Sequence, residues 1–413
     1  MRRSGCSTLR GTMTDLSGAA PLQLRLRRHE DRRIRAGHAW VFSNEIDTGA
    51  TPLAAVPPGA AVAMLDHRGQ FLGHALANPH ALICARIMSR DAEQPIDRAL
   101  LAARLRSALA LRARYCPGLH HRLVYGESDG LPGLVVDRFG DVLVGQIATL
   151  AMEQRRALLE EVLREVVAPR LILWKNDTGA RDLEGLPHEL RCDGGALPEA
   201  LEVIEAGLRF AAPLASGQKT GWFYDQTANR ALLRRFLQPG QSMLDVCSYV
   251  GGWAVSALAA GASTALCVDS SSAALDAAQA NAARNGCVIE ARRGDAFEVL
   301  AALQAEGRRF DVIVVDPPAF VKRRKDLPKG EAAYRKLNQL AMQLASDEAL
   351  LVSCSCSWHL PAERLPELLQ AAASHVGRTL AIIAQGGQSP DHPVHPAMPE
   401  TRYLKALFAR VSR

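Results

Sequence analysis

The sequence predicts an α/β protein in three parts: a parallel sheet covered by helices on both faces over residues 206–413, preceded by a small β-rich module and a small α+β unit. Three observations carry this. Strand-like and helix-like segments alternate regularly after residue 206, which is the pattern of a buried parallel sheet. Short alternating runs broken by Gly, Pro, Asn and Asp fill residues 22–96. A helix, paired strands, a second helix and a further strand fill residues 97–205. A chain of 413 residues also exceeds what one hydrophobic core holds.

Composition narrows the function classes. Hydrophobic residues make up 48% and charged residues 22%, an ordinary globular balance. The formal charge of +6 permits a nucleic-acid partner without demanding one. The nine cysteines are scattered, with no C-x-x-C pair, so neither a disulfide framework nor a metal site is expected. Free thiols point to a reducing, cytoplasmic setting. No apolar run is long enough for a membrane span, so no membrane partner is expected. Residues 1–21 are small, polar and aperiodic, expected to be a disordered extension, and Met13 is a second candidate start.

The β-rich module, residues 22–96, opens on LQLRLRR and HAWVFSNEI. It gathers Arg25, Arg27, Arg28, Arg32, Arg33 and Arg35 close to Trp40. Cations beside an aromatic side chain on a small β module make a usable RNA surface; a solvated face is the plainer alternative. The next unit, residues 97–205, runs from the helix DRALLAARLRSALALRARY through strands with Gly, Pro and Asp turns to the amphipathic helix EQRRALLEEVLREVV and the strand LILWKND.

In the α/β part the informative residues fall at strand ends, where such sheets bind ligands. The first strand ends LDVCSYVGGWAV: Asp245 closes it, Ser248 and Tyr249 come next, and Gly251 and Gly252 open the helix. The glycines permit close backbone approach to a ligand, yet the spacing is not the dinucleotide fingerprint, which argues against NAD. The second strand ends CVDSS, placing Asp269 and Ser270 where a ribose diol would sit. The third ends GDAF, offering Asp295 to an adenine amino group, and the fourth ends VVDPPAF, with Asp316 and Pro317 on a rigid exit turn. Any one Asp at a strand end is common turn chemistry. Four in succession form a nucleoside-binding order.

The strand ALLVSCSCSWHL carries Cys354 and Cys356 on one face. Cys356 lies nearer the ligand end and is the candidate nucleophile; Cys354 is assigned to packing. A thiol there has a chemical use. Carbon 5 of cytosine is a poor nucleophile, but a thiolate added at carbon 6 turns the ring into an enamine that attacks a methyl sulfonium. The thiol must lose its proton, so surroundings that lower its pKa are expected.

These residues resemble a known family. From Leu22 onward the chain is similar to the three-domain large-subunit (23S) ribosomal RNA cytosine-5 methyltransferases, through GHAWVFSNEI, YGESDGLPGLVVDRFG, SGQKTGWFYDQTANR, LDVCSYVGGWAV, VVDPPAFVK, SCSWHL and DHPVHPAMPETRYLK. The resemblance implies an N-terminal PUA RNA-binding domain, a central α+β domain and a Rossmann-like class I methyltransferase domain. It implies S-adenosyl-L-methionine as cofactor, ribosomal RNA as partner, and allows a homodimer. It adds Lys219, Thr220, Gly221, Phe223, Asp225 and Gln226 as a segment capping the cofactor, puts Asp316 against the target base and Cys356 on the family's motif cysteine. His392 is a further candidate on the substrate side, or a turn histidine. One departure stands: DPPAF lacks the second cysteine with which many RNA cytosine-5 methyltransferases release product, and no elimination base is named. Two other readings stay open. A methyltransferase acting on another atom, such as guanine N7, needs no thiol; an RNA-binding protein with a vestigial cofactor fold needs no catalysis.

Overall fold

The computed structural model describes residues 22–193, 195–214 and 217–413; the expectations for residues 1–21 lie outside these. The N-terminal module is a five-stranded sheet built from Leu22–Arg25, Trp40–Phe42, Ala61–Leu65, Phe71–Ala77 and Ile83–Ser89. Its own small core includes Leu24, Ile34, Val41 and Met64. The second unit has the helix Arg98–Tyr115, N-capped by the Asp97 carboxylate on the Leu100 amide at 2.8 Å. That helix and the helix Arg156–Val167 pack on a second five-stranded sheet.

The expected boundary at 205/206 falls inside a β-hairpin. Ala200–Glu205 pairs antiparallel with Leu208–Pro213 around Ala206 and Gly207, both with positive φ, as a tight two-residue hairpin turn requires. Leu201, Val203, Phe210 and Ala212 join a core that the α/β sheet (Met243, Val312) shares with the second unit (Phe139, Leu173), so the hairpin packs between the two.

The C-terminal sheet has seven strands: β1 (Ser242–Val246), β2 (Thr264–Asp269), β3 (Glu290–Arg293), β4 (Phe310–Val315), β5 (Ala345–Ser355), β6 (Thr379–Gly387) and β7 (Lys405–Ser412). Their order is β3-β2-β1-β4-β5-β7-β6, with β1–β5 parallel and β7 antiparallel to both neighbours. The helices are α1 (Thr227–Phe236), α2 (Gly252–Ala259), α3 (Ser272–Arg284), α4 (Ala296–Ala305), α5 (Leu327–Gln343) and α6 (Arg364–His375). Alternate residues of the central strands serve opposite faces: Met243, Val312 and Val314 enter one core, and Leu244, Ile313 and Val315 the other. Chain order reverses direction beside β1, between β2 and β4, which is where an open α/β sheet leaves its ligand crevice.

The segment between β6 and β7 ties the three parts together. Asp391 accepts the Arg122 amide at 2.8 Å, Tyr125 donates to Thr401 O at 2.9 Å, and His38 of the N-terminal module meets Glu400 at 3.4 Å. Below it Arg112, fully buried, donates to Asp129, to the Arg122 carbonyl and to the Asp391 carbonyl.

Candidate active site

The loops after β1, β2, β3 and β4 close on a cavity of about 460 Å³. After β1 the chain turns sharply into α2. Gly251 has φ +81° and a Cβ there would lie 3.0 Å from the Ala278 Cβ, so glycine alone fits without strain. Lys219, Cys247 and Tyr249 also have positive φ, and all three line the cavity. Such backbone is unfavourable for side chains with a Cβ and persists only where surroundings impose it.

Thirteen of the site residues read from the sequence line this one cavity: Lys219, Phe223, Asp225, Gln226, Ser248, Tyr249, Gly252, Asp269, Ser270, Asp295, Asp316, Pro317 and Cys356. Asp269 accepts the Tyr249 and Ser271 amides, each at 2.9 Å, which fixes its carboxylate beside the turn after β1. Asp295 caps α4 through the Phe297 amide at 2.9 Å. Asp225 Oδ1 and Ser248 Oγ are buried in the cavity wall with no protein partner among the described residues. Unpaired buried polar atoms call for a ligand or water. This donor and acceptor set, lining a cavity of about 460 Å³, fits S-adenosylmethionine.

Four assigned residues do not reach the cavity. Thr220 is buried and donates to Asp137 of the second unit. Gly221 accepts from the Tyr249 hydroxyl at 3.0 Å. Gly251 shapes the turn. Asp245 is fully buried beneath it and holds the Ala254 amide of α2 at 3.1 Å. Burial, with Asp316 and Asp269 nearby, pushes the Asp245 carboxyl up to about 8. All four build the walls from behind. His392 does not line the cavity: it is buried against Tyr125, pairs with Asp391 at 2.8 Å, and its amide closes a turn on the Ser389 carbonyl at 2.8 Å.

Asp316 sits at the far end of β4, half-buried, with Gln226 Nε2 at 2.9 Å and Trp253 Nε1 at 3.1 Å on one carboxylate oxygen. Burial lifts its pKa to about 6, with Asp225 adding to the rise and the Trp253 bond opposing it. Cys356 lies just past the end of β5, its thiol 3.9 Å from the Pro317 carbonyl. Cys354, two residues earlier, is fully buried in the sheet core. Burial raises the Cys356 thiol above its ordinary value; Lys219 pulls it down, and Asp316 and Asp225 push it further up. This direction is opposite to the expected lowering, because desolvation outweighs the nearby cations Lys219 and Lys405.

Lys219 stands 3.4 Å from Asp225 and 4.6 Å from the centre of the Phe223 ring, and the Tyr403 hydroxyl closes on the same carboxylate. Burial works against the Asp225 charge, but Lys219 and His392 hold its pKa well below the usual carboxylate range. Replacing Lys219 with methionine is expected to move the alkaline rise of kcat/KM, measured at saturating cofactor, to higher pH by roughly one unit. The sign comes from the thiolate being the reactive form: losing the cation raises the thiol pKa further. An unmoved profile would detach Lys219 from Cys356.

Trp222, Arg230, Trp253, Phe297 and Phe320 also line the cavity and escaped the sequence reading. Trp253, Phe297 and Phe320 each lie within four residues after an assigned motif residue, which is a usable signal. Arg230 gives none: its guanidinium is fixed by Glu205 of the distant hairpin at 2.6 Å and stacks on Trp222.

The N-terminal arginines are split. Arg33 pairs with Glu45 at 2.8 Å, and Arg35 pairs with Asp31 and Asp66. Arg27 donates to Ile46 O, and Arg25 is partly buried. Arg28 and Arg32 are exposed. Trp40 is half-buried, and its indole N–H binds Glu127 of the second unit at 2.8 Å, so it serves as a domain contact. Among the described residues no helix is long and apolar enough to cross a membrane, and no His, Cys, Asp and Glu cluster is placed to hold a metal.

Comparison with known proteins agrees with this geometry. Residues 24–90 match a PUA-like domain, and residues 187–409 match the S-adenosylmethionine-dependent methyltransferase family. The chain is 35% identical over 397 residues to a ribosomal RNA large subunit methyltransferase I of Shigella boydii, covering 94% of this chain and 99% of that one. It is equally similar, over 402 residues, to the protein of that name from Erwinia tasmaniensis, with 94% and 99% covered. Among solved structures it shares its fold with a Streptococcus mutans protein assigned as a SAM-dependent methyltransferase (TM-score 0.79, 18% identity, 94% and 100% covered). It also shares it with a methyltransferase-type protein crystallised with S-adenosylhomocysteine (TM-score 0.80, 17% identity, 94% and 100% covered).

Proposed function

Because this chain belongs to the S-adenosylmethionine-dependent methyltransferases, in the group of the ribosomal RNA large subunit methyltransferase I proteins, we propose that it methylates carbon 5 of a cytosine in large-subunit ribosomal RNA. The observation that carries the choice of base and atom is the meeting of Cys356 and Asp316 in the cofactor cavity, with the thiol on the Pro317 carbonyl. A methyltransferase for guanine N7 needs neither a nucleophile nor a carboxyl of raised pKa at this place.

The cofactor supplies the methyl group as an electrophilic sulfonium. Asp269 and Asp295 would hold its nucleoside end, and Asp225 and Ser248 would offer their unpaired oxygens to its polar groups. The chain's own residues do the rest. The Cys356 sulfur forms a bond to carbon 6 of the cytosine, and the ring π electrons move toward carbon 5 and N3. Asp316, held near 6 by burial, retains a fraction of its proton near neutral pH and donates it at N3, which neutralises the charge that the addition creates. Carbon 5 then carries the electron pair that bonds to the methyl group. Loss of the carbon-5 proton to water, with the N3 proton returned to Asp316, restores the double bond and expels the thiolate, so the enzyme is regenerated. Gln226 and Trp253 hold Asp316 in place through one oxygen, leaving the other for the base.

The test is product identity. Unmodified large-subunit RNA incubated with the protein and isotope-labelled cofactor, digested to nucleosides and analysed by mass spectrometry, is expected to carry the label in 5-methylcytidine.

A further inference from the structure

A dense patch of unneutralised charge lies on the α/β domain, outside the arginine-rich N-terminal module. Residues 322–336 come after the DPPAF turn and run into the first turns of α5. They hold Lys322, Arg323, Arg324, Lys325 and Lys329, then Arg335 and Lys336, against only Asp326 and Glu331. That is a net +5 in a chain whose total is +6. All seven cations are exposed, and none takes part in an ion pair among the described residues. Glu331 is itself taken by Arg364 at 2.7 Å. Elsewhere on this domain Arg292, Arg308 and Arg410 are matched, with Glu306 at 2.5 Å, Glu290 at 3.0 Å and Glu348 at 2.5 Å, and exposed arginines in no ion pair, such as Arg235, Arg284 and Arg402, are scattered along the chain.

The placement matters as much as the charge. Phe320 and Leu337, which bracket the segment, both line the cavity. The segment is bolted to the loop bearing Cys356: Ser357 Oγ accepts the Val321 amide at 3.1 Å and meets the Tyr334 hydroxyl at 2.9 Å, which in turn accepts from Ser355 at 2.9 Å. Gly330 is pressed so closely on Val321 that a Cβ would sit 2.3 Å from its side chain. Trp358, two residues beyond Cys356, is 42% exposed.

We propose that residues 322–336 grip the RNA backbone beside the target nucleotide, with Trp358 as the stacking face for a neighbouring base. This role rests on the proposed methylation of RNA and adds where the strand runs. Exposed cations beside an exposed aromatic ring, at the mouth of a cavity that must admit a single extruded base, are the elements of a single-strand site. Rigid anchoring to the Cys356 loop turns phosphate contacts into register for the base.

The experiment compares wild type with a variant carrying Lys322→Gln, Arg323→Gln, Arg324→Gln and Lys325→Gln. A control carries Arg114→Gln, Arg191→Gln, Arg235→Gln and Arg284→Gln, four exposed arginines elsewhere. Binding to unmodified large-subunit RNA and to a short cytidine-containing single strand is tracked by fluorescence anisotropy across a salt series, and cofactor binding by calorimetry. The first variant is expected to bind RNA about tenfold to a hundredfold more weakly at low salt, with the log–log salt slope shallower by about 3, and with unchanged cofactor affinity. The control should stay near wild type. Equal losses in both variants, or no loss in the first while wild type methylates the RNA, would overturn the assignment and leave the reaction intact. Failure of wild type to methylate any RNA would overturn the RNA reading, and this inference with it.

Discussion

Cys356→Ala is expected to lower methyl transfer about ten-thousand-fold or more while leaving the cofactor affinity and the fold nearly unchanged. The asymmetry comes from the position of the thiol. Its only polar contact among the described residues is the long one to the Pro317 carbonyl, so truncation removes little native-state energy. In the reaction the same sulfur forms the bond without which carbon 5 has no usable electron pair. Cys354→Ala is the matched control, since that side chain is sealed in the sheet core beside Val352 and Phe408 and cannot reach a substrate. It should cost stability and spare the rate. Single-turnover methylation of unmodified RNA separates the two. A Cys356→Ala enzyme within tenfold of wild type would make Cys356 a packing residue and favour a non-covalent reaction at another atom.

Asp137→Ala is expected to destabilise the protein by about 3–5 kcal/mol and to weaken cofactor binding. Asp137 is fully buried, binds Arg122 through two 2.8 Å bonds and accepts the Thr220 hydroxyl. Removing it strands a guanidinium inside the protein, which costs more than the pair contributes. For a domain of this size that corresponds to a fall in Tm of roughly 10 °C. Thr220 adjoins Lys219, so the cofactor-capping segment loses its anchor to the second unit. A double variant, Arg122→Met with Asp137→Leu, separates the two consequences. It should recover much of the stability, because no charge is left unpaired, while cofactor affinity stays low. Equal recovery of both would mean that Thr220 does not hold the capping segment.

How far the sequence discloses this molecule depends on the kind of contact. The β–α alternation after residue 206 is legible because apolar periodicity is local, and every strand end that reads as acidic does lie at the cavity or directly beneath it. The direction of each side chain is less legible. Asp245 and Asp269 both close strands, yet one is buried under the turn and the other faces the cavity, because the turn at Cys247 and Tyr249 sets the geometry. Arg230 depends on Glu205 in a hairpin that folds back from across the assumed boundary, and no local pattern announces that. Trp40 reads as an RNA contact from its basic neighbours, but its N–H is taken by Glu127, 87 residues away. The basic run after DPPAF is in plain view as composition. Only the structure shows it unpaired, and tied to the nucleophile's loop through Ser357 and Tyr334.

The measurement that bears most directly on the central claim is the identity of the methylated nucleoside. Labelled methyl groups recovered as 5-methylcytidine from large-subunit RNA treated with wild type, and absent after treatment with Cys356→Ala, are the predicted result. Label recovered in 7-methylguanosine, or in any nucleoside other than 5-methylcytidine, would contradict it and return Cys356 to the ranks of the core cysteines.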